Sequence, residues 1–128
     1  MSSFDSGEHG MGQFRTVLKG IFAAGAVAVI VLSLLPGREL PSLGVSDKFE
    51  HAAAYALLGL AGGLAFPTRR ATIALLLLLP LLGIALEIAQ LVVPQRSSEV
   101  ADALADWIGA VLTLLPILFI RINSARTR

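Results

Sequence analysis

The sequence predicts an all-α membrane protein, a bundle of four transmembrane helices with its N- and C-termini in the cytoplasm. Three observations carry that prediction. Apolar residues make up 55% of the 128-residue chain and charged residues only 15%, against roughly a quarter charged in ordinary soluble domains. Four apolar runs each approach the length that crosses a bilayer. Basic residues gather on one side of those runs. A water-soluble chain this short would struggle to hide so much apolar surface in one core, whereas lipid covers it at no cost. There is room for one domain only.

The expected elements follow in order. Residues 1–16 are polar and rich in glycine and serine, and are read as a flexible polar N-terminal tail. The first apolar run, residues 17–35, stops at Pro36-Gly37; Pro-Gly-Arg is no leader-cleavage motif, so the run is read as a span. The second run covers 49–66 and ends at Pro67, the third covers 71–93 and ends at Pro94, and the fourth covers 100–120 and meets Arg121. About 20 residues at 1.5 Å each cross the ~30 Å of hydrocarbon, and single runs of this kind must be helices because their backbone groups have no water to bond. Pro80 falls inside the third run, where neighbouring helices tolerate a bend. The four spans fill 17–121, and 122–128 form a basic C-terminal tail.

Orientation follows from the connectors. With four spans, Arg15, Lys19, Arg69, Arg70, Arg121, Arg126 and Arg128 share one side, while Arg38, Lys48 and Arg96 lie on the other beside Glu39, Asp47 and Glu99. The basic side is the cytoplasmic one. The protein is therefore expected as a multi-pass protein of a bacterial inner (cytoplasmic) membrane, N-in and C-in.

Polar residues within the runs cluster near the opposite, outer face. Asp47, His51 and Tyr55 are spaced by four and stack along one helix face. Ser46 as a cap, with Asp47 and Glu50 favoured by the helix dipole, accounts for the acidic residues but not for His51. Glu87 and Gln90 share a face near the end of the third run. Glu87 lies about 9 Å inside it, where a lone carboxylate costs several kcal/mol unless it is partnered; joining helices by hydrogen bonds is the structural explanation. In the fourth run Asp102 and Asp106 share a face that Gly109 continues, and Ser97 or Ser98 stands where a cap is wanted. Asp106 is too deep for the dipole to explain and needs Arg96, Lys48 or His51 as a partner. Gly109 permits close helix approach. The candidate ligand-binding residues are Asp47, Lys48, His51, Tyr55, Glu87, Gln90, Arg96, Ser97, Asp102 and Asp106. Ionisable residues inside spans are a functional signal by default.

The order Asp47-Lys48-x-x-His51 with Tyr55, then Glu87-x-x-Gln90, Arg96-Ser97, Asp102 and Gly109 resembles the VanZ-like family, over about half the chain. The family is named for a small membrane protein that raises resistance to the glycopeptide teicoplanin, so the resemblance implies a cell-envelope protein and raises a role in glycopeptide tolerance. It supplies no biochemical mechanism. The family's last motif usually has asparagine where this chain has Asp106, an extra carboxylate that favours metal binding and leaves the tolerance role open for this member.

Composition and motifs narrow the function classes. A net charge of +1 offers no field for nucleic acid. Cysteine is absent, which excludes disulfides, thiolate zinc sites and thiol nucleophiles. The leading candidate is a binding or accessory protein whose partners are membrane lipids, with Arg96, Lys48 and protonated His51 recognising a phosphate-bearing head group such as that of a lipid-linked wall or polysaccharide precursor. The alternative is a membrane-embedded enzyme acting on a lipid head group, with His51, Glu87 and Asp102 as catalytic acid-base residues, or with a divalent ion of the Mg²⁺ or Mn²⁺ class on Glu87, Asp102, Asp106 and His51. No hydrolase triad spacing, HExxH or P-loop selects a reaction. The third candidate is a structural subunit whose buried charges only pair. The sequence fixes no metal ligand, names no cofactor and leaves oligomerisation open.

Overall fold

The computed structural model describes residues 5–39 and 44–126. Four α-helices follow one another: α1 (Asp5–Leu34), α2 (Asp47–Ala65), α3 (Arg69–Gln90) and α4 (Val100–Arg126), with a short 3-10 turn at Gly37–Glu39. No strand occurs among the described residues. Three of the helices are long and apolar enough to cross a membrane, over Gly10–Leu34, Arg69–Gln90 and Val100–Arg126. α2 is not among them, because Asp47, Lys48, Glu50 and His51 dilute the apolar character of its 19 residues.

The helix starts are written in the sequence. The Ser46 hydroxyl accepts from Phe49 N at 3.3 Å and caps α2, and Thr68 accepts from Ala71 N at 3.1 Å to cap α3. α3 carries Pro80 without interruption, and α4 likewise carries Pro116. The expected tail over 1–16 differs from what is found: α1 already begins at Asp5, and residues 1–4 lie outside the described ones. No proline precedes Pro36, and the Thr16 hydroxyl bonds back to the Gly12 carbonyl at 3.1 Å, so nothing stops the helix earlier. At the other end α4 runs on to Arg126, through most of the expected basic tail; Thr127 and Arg128 lie outside the described residues.

Successive helices run antiparallel. α2 touches the other three and packs most extensively on α4, while α1 rests on α2 and α3 and does not reach α4. The core between them is Tyr55, Leu58, Leu75, Leu79, Ala110 and Leu114, flanked by Phe22, Ala26 and Val29 of α1. Outward faces remain apolar: Leu77, Leu81, Trp107, Leu112 and Phe119 are all more than half exposed. Such a surface is stable in lipid and a liability in water. The interior is the inverse, holding Thr72, Glu87, Gln90, Asp102 and Asp106 almost fully buried. The 30 residues of α1 and 27 of α4 exceed a ~30 Å hydrocarbon core by several turns. Both excesses project from the end opposite the acidic residues.

Candidate functional site

α2 and α4 come together because Gly109 lets them. A Cβ at Gly109 would overlap the Ala52 carbonyl and approach Ala56 N to 3.0 Å, so only glycine allows this spacing. The approach sets His51, in the second turn of α2, against Asp106, two turns into α4: His51 Nδ1 and Asp106 Oδ1 are 2.9 Å apart. With Asp106 ionised its oxygen only accepts, and Nδ1 is then the donor. From the third side Gly83 of α3 makes room for the Asp106 carboxylate, whose Oδ2 would lie 2.6 Å from a Cβ there. Of the three cations that the sequence offered Asp106, His51 is its partner.

Glu87 reaches the same layer from the end of α3. Its Oε2 accepts from the Glu99 backbone N–H at 2.9 Å, with the Ser98 hydroxyl as a second contact. Ser98 therefore serves Glu87, and α4 starts with Glu99 at its cap position, whose carbonyl accepts from Asp102 N at 3.0 Å. The sequence had offered Ser97 or Ser98 for that cap. Ser97 is exposed and makes no side-chain bond among the described residues, so it does not join the cluster. Donor atoms of His51, Glu87 and Asp106 all lie within 4.8 Å of one another, and the same holds for Asp47, His51 and Asp102.

Lys48 closes the layer on its outer side. Its Nζ stands 2.8 Å from Glu99 Oε2 and 3.4 Å from Asp102 Oδ1. The Lys48 hydrogen bond holds the Glu99 carboxyl below the usual glutamate range. Asp47 is more distant, with Oδ1 3.9 Å from His51 Nε2. Tyr55, one turn beyond His51, is 2% exposed. Its hydroxyl has no hydrogen-bond partner and lies in electrostatic reach of Asp106 and Glu87.

Two further predicted residues stand apart. Gln90 turns to α1, donating to the Ser33 carbonyl at 3.1 Å, and so helps to hold the first helix. Arg96, in the α3–α4 loop, pairs with no carboxylate among the described residues, and its Nε is buried without a partner. Sequence reasoning missed Ser33, Gly83 and the structural part of Ser98 and Glu99. For Gly83 the only signal was a lone glycine at helical spacing ahead of Glu87.

The opposite end of the bundle carries no such cluster. There Arg121 of α4 donates to the carbonyls of Gly63 (2.5 Å), Phe66 (3.3 Å) and Thr68 (3.4 Å) and to the Thr72 hydroxyl. It satisfies the orphan carbonyls at the end of α2.

No curated protein and no solved structure matches the chain. The VanZ/LLP1 family model matches it over residues 10–121, which takes in all but the first turns of α1, the other three helices as far as Arg121, and every member of the acidic layer. This membrane-type helical protein belongs to the VanZ/LLP1 family.

Proposed function

We propose that the protein is a four-span envelope protein, N-in and C-in in a bacterial cytoplasmic membrane, that binds the phosphate-bearing head group of a membrane lipid or lipid-linked wall or polysaccharide precursor at its outer polar layer. The observation that carries the proposal is the contrast between Lys48, at the rim of that layer, and Arg96, in the loop that leads from α3 into α4. Lys48 is engaged by Glu99 and Asp102, whereas Arg96 pairs with no carboxylate among the described residues and holds an unpartnered buried Nε. Guanidinium donors in a fixed fork match phosphate oxygens two at a time. Arg96 is thus the anchor for the phosphate, and Lys48 shapes the rim. In this reading α2 crosses the membrane with the other three helices, because it packs against each of them and its polar first turns stand at the interface. Any effect on glycopeptide tolerance would follow from altered handling of such a lipid.

Native mass spectrometry of lipids retained by the parent, Arg96→Ala and Arg96→Lys tests the proposal. A phosphate-bearing lipid held by the parent, lost in Arg96→Ala and partly kept in Arg96→Lys is the expected result. Equal retention by all three would remove Arg96 from the function and the proposal with it.

A further inference from the structure

We infer that His51, Glu87 and Asp106 form a binding site for one divalent transition-metal ion of the Mn²⁺ or Zn²⁺ class. The site stands on its own geometry and does not depend on the lipid proposal.

The three side chains come from three helices, and their donor atoms all lie within 4.8 Å of one another. Ligands at about 2.1 Å from a shared ion stand about 3.0–3.4 Å apart. His51 Nδ1 and Asp106 Oδ1, at 2.9 Å, lie just inside that spacing and need to part only slightly. Small rotations of Glu87, which is 6% exposed, complete the set. Starting from the doubly protonated imidazolium, an ion there takes the place of the Nδ1 proton that His51 directs at Asp106, and that proton is released as the metal binds. His51 then keeps its Nε2 proton, facing Asp47 Oδ1 at 3.9 Å, in the arrangement by which an outer carboxylate orients a metal-bound imidazole.

Charge points the same way. Asp106 and Glu87 are both nearly buried, and among the described residues His51 is the one cation-capable group that meets either. Protonated His51 offsets one carboxylate and leaves the other with only neutral donors from Glu99 N and Ser98. A doubly charged ion balances both. The competing trio of Asp47, His51 and Asp102 is weaker, since Lys48 already serves Asp102 at 3.4 Å and Asp47 is more than half exposed.

Tyr55 is the independent observation. Its hydroxyl is 2% exposed at the residue level, bonds to nothing and lies in reach of both carboxylates. A phenol buried without a partner costs about 1–3 kcal/mol. Beside an ion it donates to a metal-bound water or to a ligand carboxylate, so its placement is explained. The mixed imidazole and carboxylate set selects Mn²⁺ or Zn²⁺ over Mg²⁺, which prefers oxygen ligands alone.

The test uses the full chain in detergent, stripped of metal and titrated with MnCl₂, ZnCl₂ or MgCl₂ alone, by calorimetry and elemental analysis. One equivalent of Mn²⁺ or Zn²⁺, bound at least ~100-fold more tightly than Mg²⁺, is expected. Glu87→Gln and Asp106→Asn should each weaken it ~100-fold or more, and Tyr55→Phe by ~10-fold, on the scale of ligand and outer-shell losses. Arg96→Ala should bind metal as the parent does, which separates this site from the lipid anchor. Where a variant fails to fold, the parent alone decides: Mn²⁺ should broaden the ring signals of His51 and spare those of His9, the other histidine in the chain. No binding, binding that favours Mg²⁺, unchanged affinity in both folded carboxylate variants, or broadening that misses His51 would each overturn the inference.

Discussion

The His51–Asp106 contact makes a sharp energetic prediction. The two groups lie 2.9 Å apart with side chains 14% and 2% exposed, and the carboxylate is hemmed in by Gly83, so neither can turn to solvent when its partner is removed. Neutral hydrogen bonds between membrane helices are worth only about 0.6 kcal/mol in double-mutant cycles. A bond to a charged group is worth about 1.5–3 kcal/mol, and low surrounding polarity keeps it near that range. We therefore expect a coupling of about 2 kcal/mol between His51→Ala and Asp106→Ala in metal-free protein. Each single variant should lose about 3 kcal/mol, because removing one partner strands the other, and the double variant should lose clearly less than the sum. The measurement is reversible unfolding of the four proteins in mixed micelles, followed by far-ultraviolet circular dichroism. Additive losses, within the ~0.5 kcal/mol expected of independent sites, would refute the reasoning and reduce the contact to mere proximity.

Two further predictions test the frame that holds this contact. Gly109→Ala should destabilise the bundle by about 1–3 kcal/mol, since its Cβ would strike the Ala52 backbone; Gly20→Ala, with nothing within 4 Å, should be neutral or stabilising by up to ~1 kcal/mol, and the same unfolding assay separates them. Arg121→Met should cost about 1.5–3 kcal/mol by stranding the carbonyls at the end of α2, yet add independently to His51→Ala, because the two positions are about 18 Å apart along α2.

Much of this was legible in the chain because hydropathy and caps act locally. Four apolar runs bounded by Pro36, Pro67, Pro94 and Arg121 predict four helices, and Ser46 begins α2 as its side chain demands. The i, i+4 spacing of Asp47, His51 and Tyr55, and of Asp102 and Asp106, correctly placed their faces, and burial put both aspartates inside. What spacing cannot convey is which faces meet. Asp106 had three cations to choose from, and the choice of His51 was made by Gly109 and Gly83, whose missing side chains leave no mark in a hydropathy pattern. Gln90 pairs with a backbone carbonyl of Ser33, and any residue would have supplied that oxygen. The helical start of α1 was hidden for a different reason: a polar stretch carries no periodic apolar signal, whether or not the helix continues through it.

The two ends of the bundle show how the chain treats charge when only architecture is at stake and when it is not. At one end Arg121 meets carbonyls that need a donor, and among the described residues no carboxylate pairs with it. At the other, Asp47, Glu87, Glu99, Asp102 and Asp106 outnumber Lys48 and His51, and Arg96 is left out of the pairing. Pairing for assembly would be met at less cost by equal numbers, or by apolar residues of similar volume. The surplus is also placed within about two turns of the helix ends, where a solute can reach it without crossing the apolar core. Buried carboxylates in excess of their cationic partners, close to one end of the bundle, together with a loop arginine that pairs with no carboxylate among the described residues, favour the proposed layer made to receive a cation and a phosphate over one made to hold helices together.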